Sequence, residues 1–185
     1  MALTFSTMMR LGTRAPDFSL IDVVSGKRKT LNDLKSRIGT VIMFICNHCP
    51  YVKHVQTKLA QLAKDYQEKG IAFIAINSND IQTYPEDSPE KMKEVAEKLN
   101  YSFPYLFDET QEVAKAYKAA CTPDFYIFDQ NLECVYRGQL DDSRPGNQIP
   151  VTGKDLCNAL DCLISGTTTS SIQKPSTGCN IKWKS

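Results

Sequence analysis

The chain has 185 residues, of which 42% are hydrophobic, and its 22 basic and 21 acidic side chains nearly balance. This length supports one substantial hydrophobic core and argues against two ordinary domains. The charged residues form no basic or acidic block, and no stretch approaches the roughly 18 apolar residues that span a bilayer, so we expect neither nucleic acid nor a membrane as a partner.

The first half of the chain predicts a hairpin, a buried strand and a long helix. Apolar and polar residues alternate from Asp17 to Asp22, and a turn follows at Ser25-Gly26. The apolar run from Thr40 to Cys46 is rich in β-branched residues, which is typical of a central strand covered on both faces. An amphipathic helix is predicted from Pro50 to Lys69, where Gly70 ends it.

The second half continues the alternation of strand and helix, which predicts an α/β fold with a mixed sheet flanked by helices. We predict a strand at 71–76, a helix that begins at Ser88-Pro89, a short strand at 104–107, a helix around Val113, hairpin arms at 124–129 and 133–137, and a helix at 155–164. The polar stretch after residue 165 predicts an extended tail that packs back through its few apolar residues. The expected organisation is a leader at 1–11, a domain at 12–165 and a tail at 166–185.

Two cysteines, Cys46 and Cys49, stand where the predicted strand meets the predicted helix, in the sequence Cys-Asn-His-Cys-Pro. A thiol at a helix N-terminus faces unpaired backbone N–H groups, so its pKa falls below the free value of about 8.5. The intervening His48 can further favour a thiolate. The pattern therefore indicates sulfur redox chemistry.

Three segments resemble the thioredoxin superfamily, and specifically its alkyl hydroperoxide reductase and thiol-specific antioxidant branch, over roughly residues 12 to 165. They are Ala-Pro-Asp-Phe at 15–18, Cys-Asn-His-Cys-Pro at 46–50, and Thr122-Pro123 before a strand. The resemblance implies a thioredoxin-like fold, a cis bond before Pro123, and an antioxidant activity based on a redox-active disulfide. It also implies that the catalytic residues are Cys46, Cys49, His48, Thr122 and Pro123.

Two mechanisms remain open for the cysteine pair. In a dithiol mechanism Cys46 attacks a partner disulfide and Cys49 then releases the reduced partner. In a peroxiredoxin-like register Cys49 is instead the nucleophile. In this chain Ile42 stands in place of the proline of the peroxiredoxin motif, and Cys46 stands in place of its threonine. No arginine matches the arginine of that motif securely, and Arg137 is only a guess. The dithiol mechanism is also incomplete, because the strand at 41–45 contains no buried carboxylate that could take the proton of the resolving thiol.

Two further cysteines are candidate resolving thiols. Cys121 precedes Thr122-Pro123, and Cys179 lies in the tail, which must fold over the site to deliver it.

We expect the substrates to be protein disulfides or hydroperoxides. We also expect that a thioredoxin or glutathione system reduces the oxidised protein and that no organic cofactor is needed. The seven cysteines are irregularly spaced, which predicts free thiols. The segment from Met1 to Leu11 has no apolar core of the kind found in signal peptides, which predicts a cytoplasmic location. The rival hypotheses are a zinc or copper module that uses Cys46, Cys49 and His48, and a redox-inert interaction protein on the same fold.

Overall fold

The helices and strands largely follow the local signals of the sequence in the structure, a computed structural model that describes residues 3–184. The strands are β1 (Leu3–Phe5), β2 (Ser19–Asp22), β3 (Arg28–Thr30), β4 (Gly39–Phe44), β5 (Ile71–Asn77), β6 (Tyr105–Phe107), β7 (Cys121–Thr122), β8 (Asp124–Asp129), β9 (Cys134–Gly138) and β10 (Thr177–Asn180). The helices are α1 (Leu31–Leu34), α2 (Pro50–Gln67), α3 (Pro89–Lys98), α4 (Glu112–Ala116) and α5 (Lys154–Ser165), with a 3-10 turn at Pro85–Asp87.

A seven-stranded mixed sheet forms the centre of the domain, in the order β3-β2-β6-β5-β4-β8-β9. All six residues of β4 are buried, and β4 pairs parallel with β5 and antiparallel with β8. Residues of α2, α3 and α5 pack on one face of the sheet, and residues of α1 and α4 pack on the other. The predicted α/β class with a mixed, helix-flanked sheet is therefore confirmed.

The predicted hairpins and helix starts are also present. β2 and β3 pair antiparallel, as do β8 and β9. Pro50 occupies the first turn of α2, and the Ser88 side chain accepts a hydrogen bond from the Lys91 N–H at the start of α3. Some boundaries differ by one or two residues, since the strand predicted to run through Cys46 ends at Phe44 and the helix predicted to reach Lys69 ends at Gln67.

Both ends of the chain meet in a second, three-stranded sheet of order β1-β10-β7. The central strand β10 is antiparallel to both neighbours. The segment predicted as a leader thus pairs with the segment predicted as a tail, although residues 1, 2 and 185 lie outside the described residues. This small sheet brings the C-terminal segment to Thr122, beside the junction of β4 and α2.

No helix within residues 3–184 combines the length and the apolar character that crossing a bilayer would need.

Candidate active site

The two cysteines occupy different positions at the junction of β4 and α2. β4 ends at Phe44, and the Ile45 N–H still donates to the Ile76 carbonyl at 3.0 Å. Cys46 therefore lies in the loop, whereas Cys49 is the N-cap residue of α2. Only Cys49 stands directly before the unpaired N–H groups of the helix. Both side chains are buried, with 2% of Cys46 and 0% of Cys49 exposed to solvent.

Four donors surround the sulfur of Cys49. The thiols of Cys46 and Cys179 and the backbone N–H groups of Val52 and Cys179 lie where they favour the negative charge of a Cys49 thiolate. As a neutral thiol, Cys49 can also donate to the Thr122 carbonyl at 3.3 Å. The hydrogen bond from Cys46 is the largest influence, and with the other donors it outweighs burial and lowers the pKa of Cys49 to about 5. Cys49 is therefore the thiol that ionises first.

Cys46 has the opposite electrostatics. Burial, its hydrogen bond to Cys49 and the negative charge of Asp87 together raise the pKa of the Cys46 thiol, and the Thr122 hydroxyl at 3.2 Å only partly opposes them. An S–H group that donates to a thiolate is stabilised in its protonated form. The pair is therefore an ionised Cys49 beside a protonated Cys46.

Thr122 and Pro123 approach both sulfurs, and the bond between them is cis, as the resemblance implied. The Thr122 side chain contacts Cys46, and its carbonyl contacts Cys49. Because side chains of a strand alternate between faces, the neighbouring Cys121 points elsewhere. Its sulfur lies near the carbonyls of Pro123 and Ser176, at 4.0 and 3.9 Å.

The two candidate resolving cysteines thus differ in placement. Cys179 pairs with Thr122 in the register of β10 and β7, and its side chain is hydrogen-bonded to Cys49. Cys121 is buried, and burial above all raises the pKa of its thiol. The structure brings Cys179, rather than Cys121, into direct contact with the ionised sulfur.

His48 is held by Asp87, a carboxylate that the sequence analysis did not assign to the site. The His48 Nδ1 lies 2.5 Å from Asp87 Oδ2, and Asp87 also accepts from the Asn47 N–H at 2.6 Å and from the Asn79 side chain at 2.8 Å. Burial opposes ionisation of Asp87, but these hydrogen bonds hold its pKa below the usual value. The His48 ring stacks on Tyr84 at 4.7 Å between centroids.

The buried carboxylate that the dithiol mechanism lacked in the sequence of β4 is therefore Asp87, which lies in the 3-10 turn. In the sequence, Asp87 stands in a stretch of polar residues, and charge alone does not distinguish it from solvated neighbours such as Glu86. Its one local signal is a position just before the Ser88-Pro89 helix start. The arginine guessed for the peroxide site, Arg137, is instead paired with buried Asp124 at 3.0 Å.

Cys46, His48 and Asp87 form a group that could hold a metal ion, since one ligand atom from each lies within 4.8 Å of the others. This set differs from the metal hypothesis drawn from the sequence, which paired Cys46 with Cys49. The side chains of His48 and Asp87 are also already hydrogen-bonded to each other. His48 Nε2 is buried and has no hydrogen-bond partner among the described residues.

Comparison with known proteins agrees with this fold and with thiol-disulfide chemistry. A thiol-disulfide oxidoreductase ResA from Geobacillus kaustophilus is 28% identical over 130 residues, which are 70% of this chain and 70% of that protein. A crystal structure of an uncharacterized conserved protein from the same species has a TM-score of 0.98 and 64% identity, and covers 100% of this chain and 97% of that one.

The thioredoxin domain of a thiol-disulfide oxidoreductase from Bacteroides vulgatus shares the fold, with a TM-score of 0.58 at 18% identity over 70% of this chain and 89% of that one. The thioredoxin-like fold is therefore confirmed. The AhpC/TSA family model matches residues 11–137, a segment that contains Cys46, Cys49 and Pro123. Since this match spans more than half of the chain, the protein belongs to the AhpC/TSA family.

Proposed function

We propose that this protein is a thiol-disulfide oxidoreductase in which Cys49, rather than Cys46, attacks the substrate. The observation that carries the proposal is the set of hydrogen-bond donors around the Cys49 sulfur, which stabilise its thiolate, while Cys46 stays protonated. The thiolate is the reactive form of a cysteine. The ResA relatives, named as thiol-disulfide oxidoreductases, support the same class of reaction.

With a protein disulfide as substrate, Cys49 attacks one sulfur and forms a mixed disulfide, and the other substrate sulfur leaves as a thiolate. Cys46 then attacks Cys49, so that the Cys46–Cys49 disulfide forms and the second substrate sulfur is released. This second step requires Cys46 to lose its proton. His48, oriented by Asp87, has a ring nitrogen within 4.8 Å of the Cys46 sulfur, so one bridging water molecule would connect the two if His48 takes that proton as a general base.

With a hydroperoxide, the Cys49 thiolate attacks the terminal oxygen, the O–O bond breaks, and Cys49 becomes a sulfenic acid while an alcohol or water leaves. Cys46 then condenses with the sulfenic acid, and a water molecule is released as the disulfide forms. Both reactions use Cys49 first and end in the same disulfide. An antioxidant role, reduction by a thioredoxin or glutathione system, and a cytoplasmic location are parts of this proposal.

Thiol mapping by mass spectrometry tests the proposal. The reduced protein is treated with one equivalent of oxidised glutathione or hydrogen peroxide, and all cysteines are mapped. We expect the Cys46–Cys49 disulfide, and in the Cys46→Ser variant we expect the first adduct or sulfenic acid at Cys49. Cys162→Ser, on the outer part of α5, is the matched control and should react like the wild type. Modification that begins at Cys46, or two unreactive sulfurs, would overturn the proposal.

The faster of the two oxidants distinguishes the substrate classes. A disulfide that forms mainly with oxidised glutathione supports exchange with protein disulfides, whereas rapid formation with hydrogen peroxide supports a peroxidase. Quenched-flow alkylation followed by mass spectrometry measures the rate of both reactions.

A metal-binding function is the second candidate, and the grouping of Cys46, His48 and Asp87 is the observation that favours it. Metal analysis of the protein isolated without chelators tests it. Stoichiometric zinc or copper that protects Cys46 from alkylation and is lost in Asp87→Ala would support this function. Protein that stays metal-free after incubation with zinc would exclude it.

A further inference from the structure

We propose that Cys179 is a third redox thiol, which replaces Cys46 as the partner of Cys49, so that the oxidised protein exchanges between Cys46–Cys49 and Cys49–Cys179 disulfides. This inference rests on the proposed function, since it requires a redox-active Cys49. Cys179 lies beyond residue 137, where the match to the AhpC/TSA family ends. The third thiol is therefore a feature of the C-terminal segment of this chain.

The register of β10 places Cys179 at the site. Cys179 pairs with Thr122, whose carbonyl contacts the Cys49 sulfur. Because paired residues of neighbouring strands point their side chains to the same face, Cys179 lies on the face where the Thr122 hydroxyl contacts Cys46. The thiol and the backbone N–H of Cys179 both favour the Cys49 thiolate, as the thiol of Cys46 does, so Cys46 and Cys179 are alternative partners of one sulfur.

Gly178 allows the close approach of β10 to β7. A Cβ atom at position 178 would lie 2.0 Å from the Thr122 carbonyl oxygen and 3.3 Å from Pro123 Cδ. A carbon atom cannot lie 2.0 Å from an oxygen atom to which it is not bonded, so any residue larger than glycine would push β10 away from Thr122. The glycine thus keeps Cys179 within reach of Cys49.

Hydrogen bonds on both sides of Cys179 fix the C-terminal segment. On one side, the Ser6 N–H donates to the Ser176 carbonyl at 2.8 Å. On the other side, the Ile181 N–H donates to the Ala120 carbonyl at 3.0 Å, and the Lys182 N–H donates to the Asn79 side chain at 2.9 Å. Ile181 is itself buried. The thiol is therefore held beside Cys49 without any rearrangement of the tail.

The exchange step is balanced and needs no external oxidant. Starting from the Cys46–Cys49 disulfide, the Cys179 thiolate attacks the Cys49 sulfur, the bond between Cys46 and Cys49 breaks, and the bond between Cys49 and Cys179 forms. Cys46 leaves as a thiolate and takes up a proton, while Cys179 has lost one. The protein contains one disulfide and one thiol of this trio before and after the step.

Oxidation of Cys49 also prepares Cys179 for this attack. In the reduced protein, burial raises the pKa of Cys179, and its hydrogen bond to Cys49 and the charge of Cys49 raise it further. Once Cys49 is part of a disulfide, it carries no charge and both of these contributions are lost. The positive charge of Lys182, which favours the Cys179 thiolate, remains. Cys179 therefore becomes a better nucleophile after Cys49 is oxidised.

The Cys46→Ser variant tests the inference, because it removes the competing thiol. After treatment with one equivalent of oxidised glutathione, we expect an internal Cys49–Cys179 disulfide and release of the glutathione. In Cys46→Ser with Cys179→Ser, the glutathione adduct at Cys49 should persist. Cys46→Ser with Cys121→Ala is the matched control and should still form the internal disulfide. A persistent adduct in Cys46→Ser, with an alkylatable Cys179, would overturn the inference.

The wild-type protein supplies a second measurement that does not depend on how the variant folds. Oxidised wild type should yield both Cys46–Cys49 and Cys49–Cys179 peptides when it is trapped with acid, whereas a single Cys46–Cys49 species would contradict the exchange. That single species would still agree with the proposed function. Loss of every disulfide at Cys49 would instead refute the proposed function itself, so the two failures are distinguishable.

Discussion

The hydrogen bond from Cys46 to Cys49 should set much of the difference between the two thiols, and replacing Cys46 measures its contribution. Cys46 is the largest influence that lowers the pKa of Cys49. A hydrogen bond to a charged group contributes about 1.5–3 kcal/mol, and one pKa unit corresponds to about 1.4 kcal/mol. Cys46→Ala removes the donor, so we expect the pKa of Cys49 to rise by about 1–2 units. Cys46→Ser keeps a donor and should shift it much less.

The ultraviolet absorbance of the thiolate, followed across a pH titration, measures this change without requiring a reagent to reach a buried sulfur. Each variant is compared with the same variant carrying Cys49→Ala, so that the signals of the other cysteines and of the tyrosines cancel. Circular dichroism before the titration verifies that both variants are folded. The difference in midpoint between Cys46→Ala and Cys46→Ser then reports the hydrogen bond alone.

A Cys49 midpoint that stays at the wild-type value in both the alanine and the serine variants would refute this reasoning. It would mean that the helix N-terminus and Cys179 stabilise the thiolate without help from Cys46. An equally large rise in both variants would also refute it, because it would show that a hydroxyl cannot replace the thiol as donor and that packing around Cys46 controls the site.

Two further predictions address the surroundings of the thiols. Gly178→Ala places a Cβ atom 2.0 Å from the Thr122 carbonyl oxygen, so chemical denaturation should show a loss of about 1–3 kcal/mol in the free energy of unfolding; an unchanged midpoint would show that β10 is not tightly seated. Asp87→Asn removes the charge that helps to raise the pKa of Cys46, so in a Cys49→Ala background the Cys46 pKa should fall. A rise or no change in that titration would contradict the assigned role of Asp87.

The proposed mechanism divides the two roles of a dithiol enzyme between a loop residue and the residue that caps α2. Cys49 receives hydrogen bonds at the start of α2 and is kept as a thiolate, while Cys46 faces the anionic Asp87 and keeps its proton. A thiolate is needed for attack, and a protonated second thiol does not compete for the substrate. In the proposed mechanism, Asp87 and His48 act on the second thiol, since the charge of Asp87 helps to raise the pKa of Cys46.

The sequence by itself determined the local architecture. The buried strand, the amphipathic helix with Pro50 in its first turn, and the cysteine pair between them are encoded in neighbouring residues, because hydrophobic periodicity and helix capping act over a few positions. The Thr122-Pro123 bond followed from resemblance rather than from local rules, and the structure confirms that it is cis.

Only the tertiary structure decided which thiol ionises and which residues support it. Cys49 is stabilised by Cys179 from the far end of the chain, and His48 by Asp87 from a loop that gave no strong signal. A thiol pKa depends on charges and donors within a few ångströms in space, and local sequence patterns do not report how strands from distant parts of the chain pair. The sequence therefore left both cysteines as candidates for the nucleophile, and the proposal that Cys49 attacks first rests on what surrounds the two sulfurs in space.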